Sequence, residues 1–343
     1  MIDFRDLALE ALENLMLENG EKKFRGKQIF KWIHAGIENF DDMSDLGIKL
    51  REKLKKIGYL CNMEIEEKFV SKIDSTIKYL MHLKDDNIIE CVVMKYEYGN
   101  SICLSTQAGC GMGCTFCASA IGGKNRDLSC GEILGQIIKT QIDNNIKISN
   151  IVLMGTGEPL DNFDNVMKFI EMVNHEDGLN IGMRHITLST CGLVPEIRRL
   201  GDLNYQITLA ISLHAPNDKI RSITMPVARK YTFEELIDAT KYYIEKTGRR
   251  ITFEYALIAG FNDSIIHAEE LSKRLKGMLC HINLIPVNKV AGRGFEKSDK
   301  SHIEMFKKIL MREGIETTVR RELGSDINAA CGQLRRKHLG IEL

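Results

Sequence analysis

Residues 102–119 read ICLSTQAGCGMGCTFCAS, and this stretch governs the interpretation of the whole chain. It holds three cysteines spaced C-x3-C-x2-C, at Cys110, Cys114 and Cys117, on a glycine-lined loop after a short apolar run. Three thiolates at this spacing can bind three irons of a [4Fe–4S] cluster and leave the fourth iron without a protein ligand. Most protein-bound clusters have four cysteine ligands, so a three-cysteine loop indicates a cluster that reacts with a small molecule.

Zinc binding and chance clustering account for these thiols less well. A structural zinc site takes four ligands, usually from two paired knuckles, and this sequence has no second C-x2-C. Chance clustering of buried thiols is not expected in a loop so rich in glycine. The sequence therefore favours the cluster.

Composition limits the class of protein. A chain of 343 residues with 44% hydrophobic content can form two domains, or one barrel with attachments. The formal net charge is zero, so bulk charge argues neither for nor against a nucleic-acid partner. No apolar run reaches the roughly 18 residues that span a membrane, and the N-terminus is unlike a secretory signal. Ten cysteines without such a signal indicate a reducing compartment, and we expect a cytoplasmic protein without a membrane partner.

Short apolar strands alternate with helical segments after residue 100, which predicts an α/β fold with a parallel sheet. Six strand–helix units are too few for a closed eight-stranded barrel, so we expect an open, partial (β/α)6 barrel. Its chemistry should lie at the C-terminal ends of the strands, where the sequence has polar residues or glycine. The predicted strands are ICLST (102–106), NIVLMG (150–155), HITLST (185–190), QITLAISLHA (206–215), RITFEYALIAG (250–260) and HINLIPVN (281–288).

Smaller parts flank this barrel. We expect a helical accessory domain at 1–65, a β-rich connector at 66–95, the core barrel at 96–320, and a tail at 321–343 that carries Cys331. Basic residues gather in the first of these parts, around the only tryptophan. They are either a solvated helix face or a small RNA-docking module, and the sequence leaves both open. The two basic groups are Lys22, Lys23, Arg25, Lys27 and Lys31, then Lys49, Arg51, Lys53, Lys55 and Lys56.

The cysteine spacing, with Phe116 before the third cysteine, resembles the radical S-adenosylmethionine (SAM) superfamily. The resemblance implies that the open iron binds the amino and carboxylate groups of SAM, and that an electron then splits SAM into a 5′-deoxyadenosyl radical. It also implies SAM contacts at the ends of strands, although GTGEP or a single histidine would each be weak signals alone. The implied contacts are Gly157, Glu158, Ser189, Ser212, Leu213, His214 and Asn288.

A larger set of motifs resembles the RlmN/Cfr family of RNA adenine methyltransferases, over residues 20 to 336 or so. The motifs are ECVVMKY, ICLSTQAGC, MGTGEPL, SLHAP, LIPVN and GSDINAACGQL. One branch of the family methylates adenine C2 and the other methylates C8; MGTGEPL and LIPVN resemble the C2 branch. The resemblance implies adenosine 2503 of 23S rRNA and adenosine 37 of several tRNAs as targets, together with an external electron donor. We expect a monomer.

The resemblance also implies roles for three residues outside the cluster loop. A first SAM methylates Cys331, and the radical from a second SAM takes a hydrogen from the new S-methyl group. The methylene radical adds to C2 of the adenine, and Glu90 takes the C2 proton. Cys103 then releases the product and leaves a Cys103–Cys331 disulfide. Five further cysteines match no role and are interpreted as structural: Cys61, Cys91, Cys130, Cys191 and Cys280.

Other functions stay open at this point. The first is C8 methylation, as in the Cfr resistance branch. A non-catalytic iron–sulfur RNA-binding protein would keep the cluster cysteines but have no use for Cys103 and Cys331. A different radical SAM enzyme should lack the tail thiol. Phosphate contacts are expected from the basic N-terminal module and from Arg320, Arg321, Arg335, Arg336 and Lys337.

Overall fold

The computed structural model describes residues 1–287, 294–327 and 329. Its N-terminal part is helical, as the sequence predicts, and a short parallel pair of strands closes it. Arg5 joins this part to the following chain, because its guanidinium donates to the carbonyls of Ile37 at 2.7 Å and Cys61 at 2.5 Å. The elements are β1 (Ile2–Asp3), α1 (Leu9–Glu18), α2 (Phe24–Ala35), α3 (Ile48–Ile57) and β2 (Gly58–Tyr59).

A ten-stranded sheet forms the centre of the described structure. Its first strands are antiparallel: β3 (Glu64–Val70), β4 (Ile77–His82), β5 (Ile88–Tyr96) and β6 (Gly99–Cys103). A separate antiparallel pair, β7 (Gln107–Gly109) and β8 (Lys124–Asp127), flanks the cysteine loop. The remaining strands are β9 (Ile148–Leu153), β10 (Ile186–Thr190), β11 (Thr208–Ser212), β12 (Ile251–Leu257), β13 (Cys280–Pro286) and β14 (Glu316–Val319).

The parallel part of the sheet runs β6-β9-β10-β11-β12-β13-β14. The six predicted barrel strands are confirmed as β6 and β9 to β13. The tail-side strand β14 adds a seventh, because Glu316–Val319 pairs in parallel with β13. The helices of the barrel are α4 (Cys130–Asn144), α5 (Phe163–Asn174), α6 (Val194–Asp202), α7 (Asp218–Thr224), α8 (Phe233–Thr247), α9 (Ile265–Leu275) and α10 (Lys300–Arg312).

Local sequence signals explain where the two longest barrel helices begin. Ser129 and Glu132 form a capping box at the start of α4, and Thr232 and Glu235 form one at α8. Each box satisfies backbone N–H groups that a helix leaves without partners at its start. Both helices pack their apolar faces on the sheet, which leaves the opposite face of the sheet for a site.

The pleat of β5 and β6 separates two sets of side chains. Cys91, Val93 and Ile102 belong to the core packed under the helices. Their neighbours Val92 and Cys103 are paired in register and point to the other face, since successive residues of a strand alternate. This second face is where the predicted catalytic residues of β5 and β6 lie.

The chain beyond β14 reaches the hairpin between β3 and β4. Gly324 donates its N–H to Asp74 at 2.8 Å, and Asp326 accepts from the N–H of Lys72 at 2.9 Å. Ala329 then donates back to the carbonyl of Gly324 at 3.1 Å. These contacts connect the last parallel strand to the antiparallel end of the sheet. Within the described residues, no helix is both long and apolar enough to cross a membrane.

Candidate iron–sulfur and SAM site

The three clustered cysteines lie on the loop between β7 and β8. Two backbone bonds shape this loop: Cys110 donates to Gly123 at 3.0 Å, and Cys117 donates to Cys114 at 3.2 Å. Thr115 donates to the carbonyl of Thr224 at 2.9 Å and so attaches the loop to the end of α7. The loop is therefore held by contacts at its base and near its middle.

Two thiols of this loop, those of Cys110 and Cys114, are buried, and that of Cys117 is half-buried. Burial raises the pKa of Cys110 to about 11, and it raises the pKa of Cys114 further, with Cys117 and Cys110 adding to the effect. Thiols in such surroundings become thiolates when a positive metal centre compensates their charge. The chemistry of this donor set therefore fits a bound iron–sulfur cluster.

In the described residues, no three side chains of His, Cys, Asp or Glu are grouped to hold one metal ion. The cysteines of a [4Fe–4S] cluster need not form such a group, because each binds a different iron.

The predicted GEP turn follows β9 and packs against the start of the cysteine loop. Gly157 has φ +114°, and a Cβ there would lie 2.7 Å from the Cβ of Gln107. Gln107 accepts from the N–H of Glu158 at 2.9 Å, and its amide donates to Asp127 and Asp161. Glycine is required at this position because both the backbone conformation and the space exclude a side chain.

Glu158 is buried and tied at both oxygens. One oxygen accepts from the N–H of Leu160 at 3.0 Å, and the other accepts from the N–H of Cys191 at 2.7 Å. Burial raises the pKa of Glu158. The side chains of Thr190 and Cys191 also interact with this carboxylate, so several of its roughly four acceptor positions are used within the protein.

The ends of β10 and β11 carry the other predicted SAM contacts. Ser189 and Ser212 are partly exposed, whereas Leu213 is fully buried in the core. The backbone of Leu213 is bonded within the protein, since its N–H donates to the carbonyl of Glu254 at 3.0 Å and its carbonyl accepts from Arg221 at 3.2 Å. His214 has φ +55° and accepts from the N–H of Ala256 through Nδ1 at 2.9 Å.

His214 is held as a neutral ring. Burial lowers its pKa to about 3, and Arg221 adds to the effect. Because Nδ1 accepts a hydrogen bond, the ring proton is on Nε2. The ring of Phe116 stands edge-on to it, with centroids 4.9 Å apart, and so connects the cysteine loop to β11.

Arg221 is a residue that the sequence reasoning missed. It is fully buried and donates to three carbonyls, those of Cys191 at 2.6 Å and of Ser212 and Leu213 at 3.2 Å. Its Nη1 is buried without a hydrogen-bond partner in the described structure. An arginine in the helical pattern DKIRSIT gives no sign of burial, so only the contacts reveal that it joins two strand ends.

The predicted base and thiol lie on neighbouring strands. Glu90 is buried on β5, and Cys103 on β6 pairs with Val92 two positions further along. Both side chains therefore belong to one face of the sheet as diagonal neighbours. Glu90 pairs with the buried Lys78 of β4 at 3.3 Å, a partner that the sequence reasoning missed although a lysine inside IKYLMH is unusual.

Some predicted residues cannot be located. Asn288 and Cys331 lie outside the described residues, as do Arg335, Arg336 and Lys337.

In the N-terminal module, Lys27 and Lys31 both pair with Asp177, at 2.7 and 3.2 Å. Part of its positive charge is therefore offset within the protein.

Comparison with known proteins agrees with this geometry. Residues 104–271 match the radical SAM superfamily, and residues 2–60 match the family described as ribosomal RNA large subunit methyltransferase N-terminal domain. A relative from Clostridium tetani, named "Probable dual-specificity RNA methyltransferase RlmN", is 59% identical over 99% of this chain and 97% of its own. A relative of the same name from Alkaliphilus oremlandii is 59% identical over 98% of both chains.

The chain belongs to the RlmN family of dual-specificity RNA methyltransferases. The crystal structure of a radical SAM methyltransferase from Sphaerobacter thermophilus superposes with a TM-score of 0.93 at 41% identity, covering 98% of this chain and 99% of that one. Membership of this family confirms the expected fold and the two cofactors, a [4Fe–4S] cluster and SAM.

Proposed function

We propose that this protein methylates C2 of adenosine 2503 in 23S rRNA and of adenosine 37 in tRNAs. The observation that carries the proposal is the register of β5 and β6, which makes Glu90 and Cys103 diagonal neighbours on one face of the sheet. A base and a thiol are the two groups that release of a methylated adenine requires. An RNA-binding protein without chemistry needs neither, and family membership supports RNA as the substrate.

Adenine C2 needs unusual chemistry. The carbon is electron-poor and will not attack the methyl group of SAM, so direct methyl transfer fails. When bound, the cluster and SAM supply a 5′-deoxyadenosyl radical, which can take a hydrogen atom from an unactivated methyl group. We assign the three irons to Cys110, Cys114 and Cys117.

The chain's polar groups would position SAM. We assign its amino end to Gly157 and Glu158, because a buried carboxylate suits an ammonium group, whose positive charge would offset the cost of its burial. We assign the remaining contacts to residues at or after the ends of β10 and β11, which are Ser189, Ser212, Leu213 and His214, and to Asn288, which lies outside the described residues.

Three side chains would carry the methyl group and the proton. Cys331 accepts the methyl group on sulfur and links to the RNA through the methylene carbon. Glu90 takes the C2 proton. The thiolate of Cys103 attacks the sulfur of Cys331, so an S–S bond forms as the S–C bond breaks. The electron pair of the S–C bond stays on the methylene carbon, which takes up a proton and becomes the methyl group of the product. An external reductant then returns both cysteines to thiols.

The N-terminal module supplies a surface suited to RNA. A surface groove of about 430 Å³ combines aromatic rings with lysines, lined by Phe24, Lys27, Gln28, Lys31, Trp32 and Asp45. Bases stack on exposed rings, and lysines contact phosphates. The ring of Phe24 is half exposed, which suits stacking.

The decisive experiment is nucleoside analysis after anaerobic reaction of the reconstituted protein with an rRNA fragment and with tRNA. We expect 2-methyladenosine from the wild type and no methylated adenosine from Cys331→Ala. Cys280→Ala, which changes a buried cysteine under the helices, should retain activity. If 8-methyladenosine forms, the C8 branch is correct. If no methylated nucleoside forms with a loaded cluster, the proposed activity is wrong.

The cluster assignment has its own test. Changing any one of Cys110, Cys114 and Cys117 to alanine should abolish the visible absorbance of the reconstituted cluster. Cys191→Ala is the matched control, because Cys191 packs beside Cys114 but is not assigned as a ligand. Loss of the cluster in the Cys191 variant alone would overturn the assignment.

RNA binding is tested through its salt dependence. Lys27→Glu should weaken RNA binding. It should also make the slope of log affinity against log salt concentration shallower by at least about 0.7, the value for one phosphate contact on a single strand. Lys246→Glu on α8, a surface lysine distant in sequence from the module, serves as control. An unchanged slope in the Lys27 variant would remove this groove from the proposed interface.

A further inference from the structure

Lys78 and Glu90 form an ion pair that is almost completely removed from water. Their side chains are 1% and 5% exposed, and Nζ lies 3.3 Å from Oε2. Removing a single charge from water is costly, and a buried pair recovers the cost only when both partners are present. Lys78 therefore compensates the charge of a Glu90 carboxylate at this position.

Strand register places this pair beside the predicted thiol. Lys78 of β4 pairs with Val92 of β5, and Val92 pairs with Cys103 of β6. Side chains in one lateral row share a face of the sheet, so Lys78 and Cys103 lie on the same side. Glu90, two residues before Val92, is the diagonal neighbour of both.

The described part of the tail contacts the chain at the start of β4. Gly324 donates to Asp74, four residues before Lys78, and a Cβ on Gly324 would lie 3.1 Å from the Cγ2 of Thr76. The described part of the tail thus packs at the start of β4. The ion pair on β4 and β5 is therefore next to both the thiol strand β6 and the end of β4 that the tail contacts.

We propose that Lys78 is the positioning residue of the base Glu90. This inference rests on the function proposed above. In the step concerned, the C2–H bond of the RNA–enzyme radical adduct breaks and the proton moves to a carboxylate oxygen of Glu90. The electron pair of that bond stays on the adduct, and the one excess electron leaves to a one-electron acceptor, the oxidised iron–sulfur cluster. The ammonium of Lys78 balances and positions the carboxylate before the transfer.

The Lys78→Met variant distinguishes a role in proton transfer from a role in SAM cleavage or in methylation of Cys331. The variant should still convert SAM to 5′-deoxyadenosine and still methylate Cys331, because neither step uses Glu90. Formation of 2-methyladenosine should fall about 10- to 100-fold, within the range by which general bases accelerate reactions. A covalent protein–RNA adduct should accumulate, visible as a shifted gel band that a nuclease removes. Lys78→Arg, which retains the charge, should restore most of the product.

Two further variants serve as comparisons. Tyr79→Phe removes the bond from the Tyr79 hydroxyl to Asp143 at 2.6 Å on the opposite face of the same strand, so it reports loss of stability alone. Glu90→Gln should reproduce the adduct. If Glu90→Gln forms less 2-methyladenosine than the wild type and Lys78→Met forms the wild-type amount, the inference about Lys78 is wrong. The assignment of Glu90 as the base then stands. If both variants form product normally, the base assignment is wrong.

A second measurement applies even if Lys78→Met does not fold. With RNA deuterated at C2 of the target adenosine, slower proton removal makes this step more rate-limiting. The isotope effect on product formation should therefore rise in Lys78→Gln above the wild-type value, since glutamine removes the charge of Lys78 but keeps a polar side chain. The proposal is overturned if the isotope effect in this variant equals the isotope effect of the wild type and the isotope effect in Tyr79→Phe is also unchanged.

Discussion

The carboxylate of Glu158 accepts the backbone N–H of Cys191 at 2.7 Å, across 33 residues of sequence. Its other oxygen accepts the N–H of Leu160 at 3.0 Å. One side chain therefore fixes the turn after β9 to the end of β10. The same carboxylate is the proposed partner of the SAM ammonium group, so its structural and binding roles coincide.

Removing the carboxylate of Glu158 should destabilise the protein. Glu158→Ala leaves two buried N–H groups without acceptors, and we expect a loss of about 2–4 kcal/mol in the free energy of unfolding. SAM affinity should fall with it. Urea unfolding and equilibrium dialysis measure the two effects. Asp164→Asn, which breaks an exposed pair with Arg199, is the control and should change stability by less than about 1 kcal/mol. Equal stability of the two variants would contradict the role of Glu158.

Gly157→Ala should destabilise the protein more than Gly260→Ala. Both glycines have positive φ, +114° and +68°, which costs an alanine about 1 kcal/mol. At Gly260 no atom lies within 4 Å of the new Cβ, whereas at Gly157 it meets Gln107 at 2.7 Å. Overpacking should add about 1–3 kcal/mol at Gly157. Chemical denaturation of the two variants gives the difference, and a difference near zero would show that Gln107 moves aside.

Arg221→Lys should weaken the barrel end despite keeping the charge. A lysine ammonium cannot reproduce the guanidinium contacts with the carbonyls of Cys191, Ser212 and Leu213. We expect a loss of about 3 kcal/mol in the free energy of unfolding, since a charge stays buried with fewer partners. Arg249→Lys, whose contacts are longer at 3.4 Å, is the matched control and should lose less than about 1 kcal/mol.

The N-terminal module should lose stability in mild acid because of His34. Burial lowers its pKa from 6.5 to about 4, so the unfolded chain binds a proton at higher pH than the folded chain does. Its contribution is present above pH 6.5 and is lost as the pH falls toward 4. Between pH 7.5 and 5.0 the loss should be about 2 kcal/mol.

Urea unfolding at these two pH values checks the sign. His34→Leu should show a pH dependence that is smaller by this amount, and the exposed His302→Ala should behave like the wild type. If wild type and His34→Leu respond equally to pH, His34 does not titrate as its burial requires.

The sequence by itself determined the cysteine loop, the alternation of strands and helices, and the polar residues at strand ends. These features depend on short windows: Cys110 to Cys117 is eight residues, and each barrel strand is a short segment that contains several apolar residues. Period and spacing are local properties of the backbone, so they can be inferred without knowing which segments meet.

Only the tertiary structure decided which groups distant in sequence form an ion pair or a hydrogen bond. Lys78 became the partner of Glu90 through the register of two antiparallel strands, and a shift by one residue would have placed it on the other face. Arg221 became buried because α7 packs it under carbonyls up to 30 residues away. Such contacts depend on sheet order and packing, which no local pattern in the chain specifies.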